Sequence, residues 1–508
     1  MPRWPQGEMR ITDGETVIAK ASAAPRKTLL ARPRDTVQWA VYFPPVIEMD
    51  KTSNVSRASQ LLAVGRVEEA QSLLQGMDSG EALALKTVIA IVNNEQERTF
   101  KFATDAVRRA PQSAATHIAM SYAWQAKLDL NQALGSARQA VKFEPGNAIA
   151  WARLAELQLS TGELGKALTS AQLATKHDAK LSRTQSILGF AYLTRIDINE
   201  AMAAFNRAIE LNQVDPLPRL GLGLAKIRRG KLAQGRRDIE IAASLDPNSS
   251  IIRSYLGKAY FEEKRAPLDA EQYDMAKKLD PNDPTPWFYD AIRKQTVNQP
   301  ADALQDLRKS IELNDNRAVY RSQLRLDEDL AVRGVSLARI YDDLGFDRLG
   351  QLEASKSLDI DPANHSAHRF LSDTYARRSR HEIARVSELL QAQLLQPINI
   401  APVQPQLAIT DLNIVSGAGP AASSFNEYTS LFERNRPHLH ASAVYGNNST
   451  WGDEAILSGI YNKFSYSLGQ FHYQTDGYRE NNDLEHDIYN CLLYTTPSPR
   501  DHLSDLVC

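Results

Sequence analysis

Cysteine is nearly absent from this chain of 508 residues: Cys491 and Cys508 are the only two, and both lie in the last 18 positions. A disulfide framework, a thiol nucleophile and a cysteine zinc site are therefore excluded from the main body. Charge of one sign is also lacking, since 59 Lys and Arg face 61 Asp and Glu for a formal net charge of −2. That balance argues against a general nucleic-acid binder, which carries a basic excess. No run of 18 or more apolar residues occurs, so no transmembrane helix is encoded. No Walker A loop or G-x-S-x-G elbow is present. The opening Met1-Pro-Arg-Trp-Pro lacks the charged-then-apolar order of a signal peptide. Hydrophobic residues make up 43% and charged residues 24%, the composition of a folded protein.

What the sequence does have is a period. Pro111, Pro145, Ala179, Gln213, Pro247, Pro281 and Asp315 follow one another at intervals of 34 residues. Acidic residues precede several of them (Glu144, Asp178, Asp246, Asp280). Five residues upstream stands a small residue each time: Ala106, Ala140, Ala174, Ala208, Ala242, Ala276 and Ser310. Eight upstream come Ala103, Ala137, Ala171, Phe205, Ile239, Tyr273 and Leu307. The period predicts two antiparallel helices per unit, with the small residues at the crossing where backbones approach. Proline then ends one unit and starts the next. The first helix repeats its own pattern: Trp151, Leu154, Ala155 and Gln158 return as Gln185, Leu188, Gly189 and Tyr192, then as Arg253, Leu256, Gly257 and Tyr260. The register breaks once, because Asp361-Pro362 lies 47 after Asp315. An insertion over 318–330 restores it.

This pattern resembles the tetratricopeptide repeat (TPR), W-x₂-L-G-x₂-Y…A-x₃-F-x₂-A…P at period 34. The resemblance implies a mainly α fold, a TPR α-solenoid over 54–397, wound as a right-handed superhelix with small β segments at both ends. Eight regular units are expected from about 114 to 398, after one or two atypical units over 54–113. It also implies that certain positions of each first helix face the concave groove. Carried over by register, these are Tyr122, Gln125, Glu156, Leu159, Arg183, Phe190, Leu193, Leu224, Arg228, Lys258, Phe261 and Phe288. The apolar members could instead face neighbouring helices; Phe190, Phe261 and Phe288 stand off the packing positions and are expected in the groove. Aromatics mixed with Arg183, Arg228 and Lys258 suit a protein or peptide partner with some acidic character. The Lys/Asn carboxylate clamp of chaperone-binding TPRs is absent.

The flanks differ. In 1–50, Asp13-Gly14 between short apolar stretches is a hairpin signal, and the segment resembles the last strands of a FecR-type domain. So few strands cannot bury a core, so a longer parent protein is expected. Residues 398–424 read as a linker. Over 425–490 aromatic residues are dense and Leu439, Ala441, Ala443 and Tyr445 alternate with polar neighbours. This resembles the opening strands of an outer-membrane β-barrel; a soluble antiparallel sheet is the alternative. The tail 491–508 departs from the alternation and resembles adapter read-through or a disordered terminus, and no function is assigned to it.

Chemistry is sparse. His365 and His368, with His381-Glu382 beyond, lack a further ligand at metal spacing and are expected on the surface. A polar barrel lumen accounts for His438 and His440. The acidic Leu326–Leu330 stretch lacks the glycine and closing glutamate of a calcium loop. Arg369, Arg377, Arg378 and Arg380 read as a solvated helix face. No catalytic residue, metal or cofactor is expected, and no small-molecule substrate is evident. The expected role is a non-enzymatic scaffold of the bacterial envelope, in the periplasm or at the outer membrane, with the cytoplasm as alternative. A TPR-plus-barrel component of exopolysaccharide or other export is the second reading.

Overall fold

The computed structural model describes residues 8–13, 16–22, 53–63, 66–93, 95–320, 322, 326–395 and 435–495. Two strands come first, β1 (Glu8–Asp13) and β2 (Thr16–Ser22), paired antiparallel. The rest of the segment that resembles a FecR-type domain, and the linker 398–424, lie outside the described residues.

Helices then follow in pairs: α1 (Asn54–Ala63) with α2 (Val67–Leu73), α3 (Gly80–Val92) with α4 (Gln96–Arg109), and α5 (Ala114–Ala126) with α6 (Leu130–Phe143). Next come α7 (Ala148–Ser160) with α8 (Leu164–His177), α9 (Ser182–Thr194) with α10 (Ile198–Leu211), and α11 (Pro216–Arg228) with α12 (Leu232–Leu245). Then α13 (Ser250–Glu262) pairs with α14 (Leu268–Leu279) and α15 (Pro284–Thr296) with α16 (Pro300–Glu312). A single four-residue helix, α17 (Arg317–Tyr320), interrupts the series before α18 (Leu326–Asp343) with α19 (Asp347–Ile360) and α20 (His365–Ala376) with α21 (Glu382–Leu395). The chain forms two compact units. The first holds residues up to Ile227, Lys231–Asp290 and Glu312–Leu326; the second holds Arg228–Gly230, Ala291–Ile311 and Asp327 onward.

The period is enforced at three places. In the six pairs from α5 with α6 to α15 with α16 the turn carries one residue with a left-handed backbone: Leu128, Gly162, Ile196, Gly230, Lys264 and Asn298, each 34 after the last. The next N–H then reaches back five residues, as in Asp129 to Trp124 O (3.0 Å), Glu163 to Gln158 O (2.8 Å) and Arg265 to Tyr260 O (2.9 Å). This is the Schellman closure of a helix end. Between units, the acidic residue before the repeat-ending position accepts turn N–H groups: Asp178 from Lys180 (2.9 Å) and Asp280 from Asn282 (3.1 Å). Glu144 caps α5 through Ala114 N (2.7 Å).

The third place explains the variable tryptophan position. His117, Trp151, Gln185, Arg253, Trp287 and His368 each direct a side-chain nitrogen to the carbonyl six residues back, at 2.7–3.3 Å. Those carbonyls belong to Pro111, Pro145, Ala179, Pro247, Pro281 and Pro362, the repeat-ending residues. No following N–H can take them in the helical manner, so a side-chain donor does.

At the crossings, Ala106, Ala140, Ala174, Ala208, Ala242, Ala276 and Ser310 are all fully buried. One pair of positions sixteen apart is matched in volume. Gly189 faces Phe205 and Gly257 faces Tyr273, while Ala155 and Ala171 share one core cluster. Phe205 is held from both sides: a methyl on Gly189 would lie 2.6 Å from its Cε1, and one on Gly221 2.2 Å from its Cζ.

In the second unit, β3 (Arg436–Tyr445), β4 (Trp451–Tyr461), β5 (Phe464–Thr475) and β6 (Leu484–Thr495) form an antiparallel meander in that order. β6 continues through Cys491–Thr495, which pair with Leu468 back to Phe464; the strand therefore runs beyond position 490. The ladder with β5 carries it on. Residues 496–508 lie outside the described residues.

Candidate functional site

Among the described residues no cluster of three or more His, Cys, Asp or Glu is placed to hold a metal ion, and no helix is long and apolar enough to cross a membrane. The histidine pair of α20 has structural surroundings. His365 is buried rather than on the surface, because it occupies the helix-start position that Ala114, Ser182 and Ser250 fill, buried, in other units. His368 lies between Glu388 (2.5 Å) and the Pro362 carbonyl (3.0 Å). Arg377 grips Asp342 with contacts of 2.7 and 2.9 Å. Asp327, Glu328 and Asp329 fill the first turn of α18, where the helix dipole favours anions. Asp329 also pairs with Arg333 at 2.7 Å.

The first helices of the first unit carry a buried polar network. On α7, Arg153 is fully buried, with its guanidinium 3.7 Å from the centre of the Tyr122 ring of α5. It donates to Ser121 Oγ (2.9 Å) and Gln125 Oε1 (2.5 Å) and pairs with Glu156 (3.2 Å). Arg183 of α9 donates to the Tyr122 hydroxyl (2.9 Å) and to Glu156 (2.6 Å). Burial pushes the Tyr122 phenol up and pulls the Arg183 guanidinium down. Two buried arginines on one carboxylate need the extra acceptors that Ser121, Gln125 and Tyr122 supply.

Of the groove residues expected from register, Tyr122, Gln125, Glu156 and Arg183 are thus one network. Leu159 is half-buried at its edge, against the Ala152–Ile187 cluster. A second grouping surrounds Lys258, which pairs with Glu262 (2.8 Å) and lies 5.3 and 5.6 Å from the rings of Phe261 and Tyr289. Phe261 is half-buried there. Phe190 is half-buried, edge-on to Phe205 at 4.9 Å. Leu193, Leu224 and Phe288 are buried, so Phe288 presents no free ring. Arg228 is buried and falls in the second unit. The cations expected to attract an acidic partner, Arg183 and Lys258, already face carboxylates of this chain.

Two participants escape a register reading. Arg153 is one; its register mates Ala119 and Ile187 are buried and apolar, and a lone arginine at such a position was the available signal. The other is α17. All four of its residues are buried, and Ala318, Val319 and Tyr320 join the core cluster of Ile118, Tyr122, Leu154 and Leu157. Tyr320 donates to Asp280 Oδ2 (2.9 Å), and Ser322 Oγ to the Leu159 carbonyl (2.9 Å).

In the sheet, the side chains of Leu439, Leu457 and Leu468 lie in register on one face and are exposed. Tyr445 opposite Trp451 stands at one end of that face and Tyr461 opposite Phe464 at the other, all exposed. On the opposite face Glu454 is buried beside Ser442 (3.4 Å) and 4.0 Å from His440; burial raises its carboxyl. Burial, then Arg436, lowers His438.

Paired helices closed by the same turn every 34 residues define a helical-repeat protein, an α-solenoid with small β segments at both ends. Residues 220–284 match the tetratricopeptide repeat family. No curated protein matches the chain in sequence. Among solved structures, the chain is similar to one of the APC/C hetero-tetramer Cut9-Hcn1, at 12% identity over 68% of this chain and 81% of the other, with a TM-score of 0.48. It is similar to a tetratricopeptide repeat protein of Parabacteroides merdae (16% identity, 47% of this chain, 98% of the other, TM-score 0.36). A third is YrrB, described as a TPR protein with an unusual peptide-binding site (18%, 35% and 92%, TM-score 0.25).

Proposed function

We propose that the chain is a non-enzymatic scaffold of the bacterial cell envelope that holds a protein or peptide partner on the first-helix face of its repeats. The observation that carries this reading is the convergence of Tyr122, Gln125, Glu156 and Arg183 from three successive first helices, with Leu159 at the edge. Polar groups fixed by packing, next to apolar surface, are what a peptide backbone and its anchoring side chains need. Capture from envelope extract with the full chain identifies the partner. Phe261→Ala should then weaken it by roughly 1–2 kcal/mol with helicity unchanged. Leu159→Ala, at the edge of the network, should weaken it too. Unchanged affinity in both variants refutes the assignment of this face.

The sheet favours a second reading, a TPR-plus-barrel component of outer-membrane export of exopolysaccharide or another cargo. An exposed leucine band between aromatic pairs fits the lipid-facing wall of an outer-membrane barrel. Under this reading Leu457→Arg should cost about 2–4 kcal/mol of membrane insertion at mid-depth. Flotation of the chain with outer-membrane lipid vesicles reads it out. Equal recovery of the wild type and the variant in the lipid-free fraction would place the sheet in water.

A further inference from the structure

We propose that the segment around α17 is an internal ligand of the first-helix face, and that it is displaced by a peptide of the same chemistry: small and β-branched residues followed by a tyrosine. The proposal rests on the reading of that face as a binding surface. Residues Glu312–Leu326 belong to the first unit, although the chain on either side of them belongs to the second. A helix of four residues has almost no hydrogen bonding of its own to hold it. Its position must come from what it touches, and the contacts that follow are to first-helix or inter-repeat surface. Ala318 and Val319 enter the apolar cluster of Ile118, Leu154 and Leu157. The Tyr320 hydroxyl meets the buried Asp280, and Ser322 and Asn316 bind the backbone carbonyls of Leu159 (2.9 Å) and Asn282 (3.2 Å). Arg317 closes the turn on the Ser322 carbonyl at 3.0 Å. This is the bonding pattern of a bound peptide: apolar anchors, one specific side-chain contact, and hydroxyl and amide contacts to backbone.

The same segment is no part of the helix pairs. α16 ends before it and α18 with α19 forms the next pair after it. The segment can therefore leave without opening a repeat, and 13 residues beyond the period (47 less 34) give it slack. While tethered it competes at a high effective concentration, so it masks the face from weak ligands. Asp280 and the nearby Asp283, both buried, make the tyrosine end unfit for a carboxylate and fit for a hydroxyl donor. The displacing partner is accordingly a peptide ending in an aromatic hydroxyl rather than in an acidic group.

The test uses the full chain and a fluorescein-labelled peptide of residues 314–322, followed by anisotropy. Val319→Asp puts a carboxylate into the apolar cluster and should eject the segment. A second variant replaces residues 315–322 by Gly and Ser at equal length. Both should bind the peptide at least tenfold tighter than wild type, with far-UV circular dichroism and thermal melting of the repeats retained. Adding Asp280→Asn to either variant, or Tyr→Phe at position 320 of the peptide, should return roughly tenfold of the gain. Binding no tighter than wild type in both variants overturns the proposal. So does loss of helicity in both, which would make the segment structural glue. A captured envelope partner that binds wild type and emptied chain equally also overturns it while leaving the scaffold reading intact. Failure to capture any partner, with peptide binding as expected, would sink the scaffold reading alone.

Discussion

Replacing Gly221 by alanine places a methyl group 2.2 Å from Cζ and 2.4 Å from Cε1 of Phe205. The ring cannot step aside. Gly189 closes the other flank, where a methyl would already lie within 2.7 Å, and Phe190 stands edge-on at 4.9 Å. Overpacking of this kind costs about 1–3 kcal/mol, and a ring closed on both sides belongs at the upper end. Alanine in a helix interior returns about 1 kcal/mol relative to glycine. The net expectation for Gly221→Ala is a loss of roughly 2 kcal/mol. Phe205→Leu alone should cost about 1–2 kcal/mol for the volume removed. Leucine does not reach the position of Cζ, so in that background Gly221→Ala should reverse sign and stabilise by about 0.5–1 kcal/mol. The coupling between the two sites is then about 2–3 kcal/mol, within the range for residues in contact. Urea unfolding of the full chain, followed at 222 nm by circular dichroism, measures all four corners of the cycle. A neutral or stabilising Gly221→Ala in the wild-type background, or additivity across the cycle, would refute the pinned ring and with it the volume matching of the helix pairs.

Three further outcomes follow from the same geometry. Arg153→Leu should destabilise by about 2–4 kcal/mol, less than a wholly broken buried pair because Glu156 keeps Arg183; an unmoved urea midpoint would show that the network is not buried. Burial pushes the Asp215 carboxyl from 3.8 up to about 6, against the opposing effects of the Leu217 N–H and Arg183. The folded chain thus keeps a proton that the unfolded chain has released, so stability should fall as pH rises from about 4 through 6, by at most about 2–3 kcal/mol and less for a half-buried group. Asp215→Asn should flatten that slope, and an identical slope in the variant would assign it elsewhere. Leu128 holds a left-handed backbone at φ 63° with its side chain partly exposed; Leu128→Asn should raise the unfolding free energy by roughly 0.5–1 kcal/mol, and a lowered urea midpoint would mean that its side-chain contacts outweigh the backbone strain.

How much of this was legible in the sequence differs from place to place. The 34-residue spacing is a local signal, written in turn and crossing residues that each unit must repeat, so the solenoid could be read directly. Volume matching was half legible: Gly189 and Phe205 are visible as letters, but that Gly221 of the next unit closes the same ring is a contact between units. The break in register at Asp315 gave the length of the insertion and not its destination, because a segment outside the repeats carries no period to say where it docks. Arg153 is a lone arginine between the apolar register mates Ala119 and Ile187, and its partners Ser121, Gln125 and Glu156 are set by packing between units. Phe288 was expected in the groove because it lies off the packing positions of one helix; in three dimensions it is covered.

The side chains that close on the repeat-ending carbonyl differ in every property but one. An imidazole, an indole, a primary amide and a guanidinium all perform the same task at His117, Trp151, Gln185 and Arg253. What the site selects is arm length and a nitrogen at its tip; charge, aromaticity and bulk are left free. Each of these units thus has an adjustable tile over its closing turn, from the half-buried Trp151 to the buried Gln185. A repeat built this way can change the character of its edge from unit to unit, cationic here and flat and aromatic there, while the closing hydrogen bond stays the same.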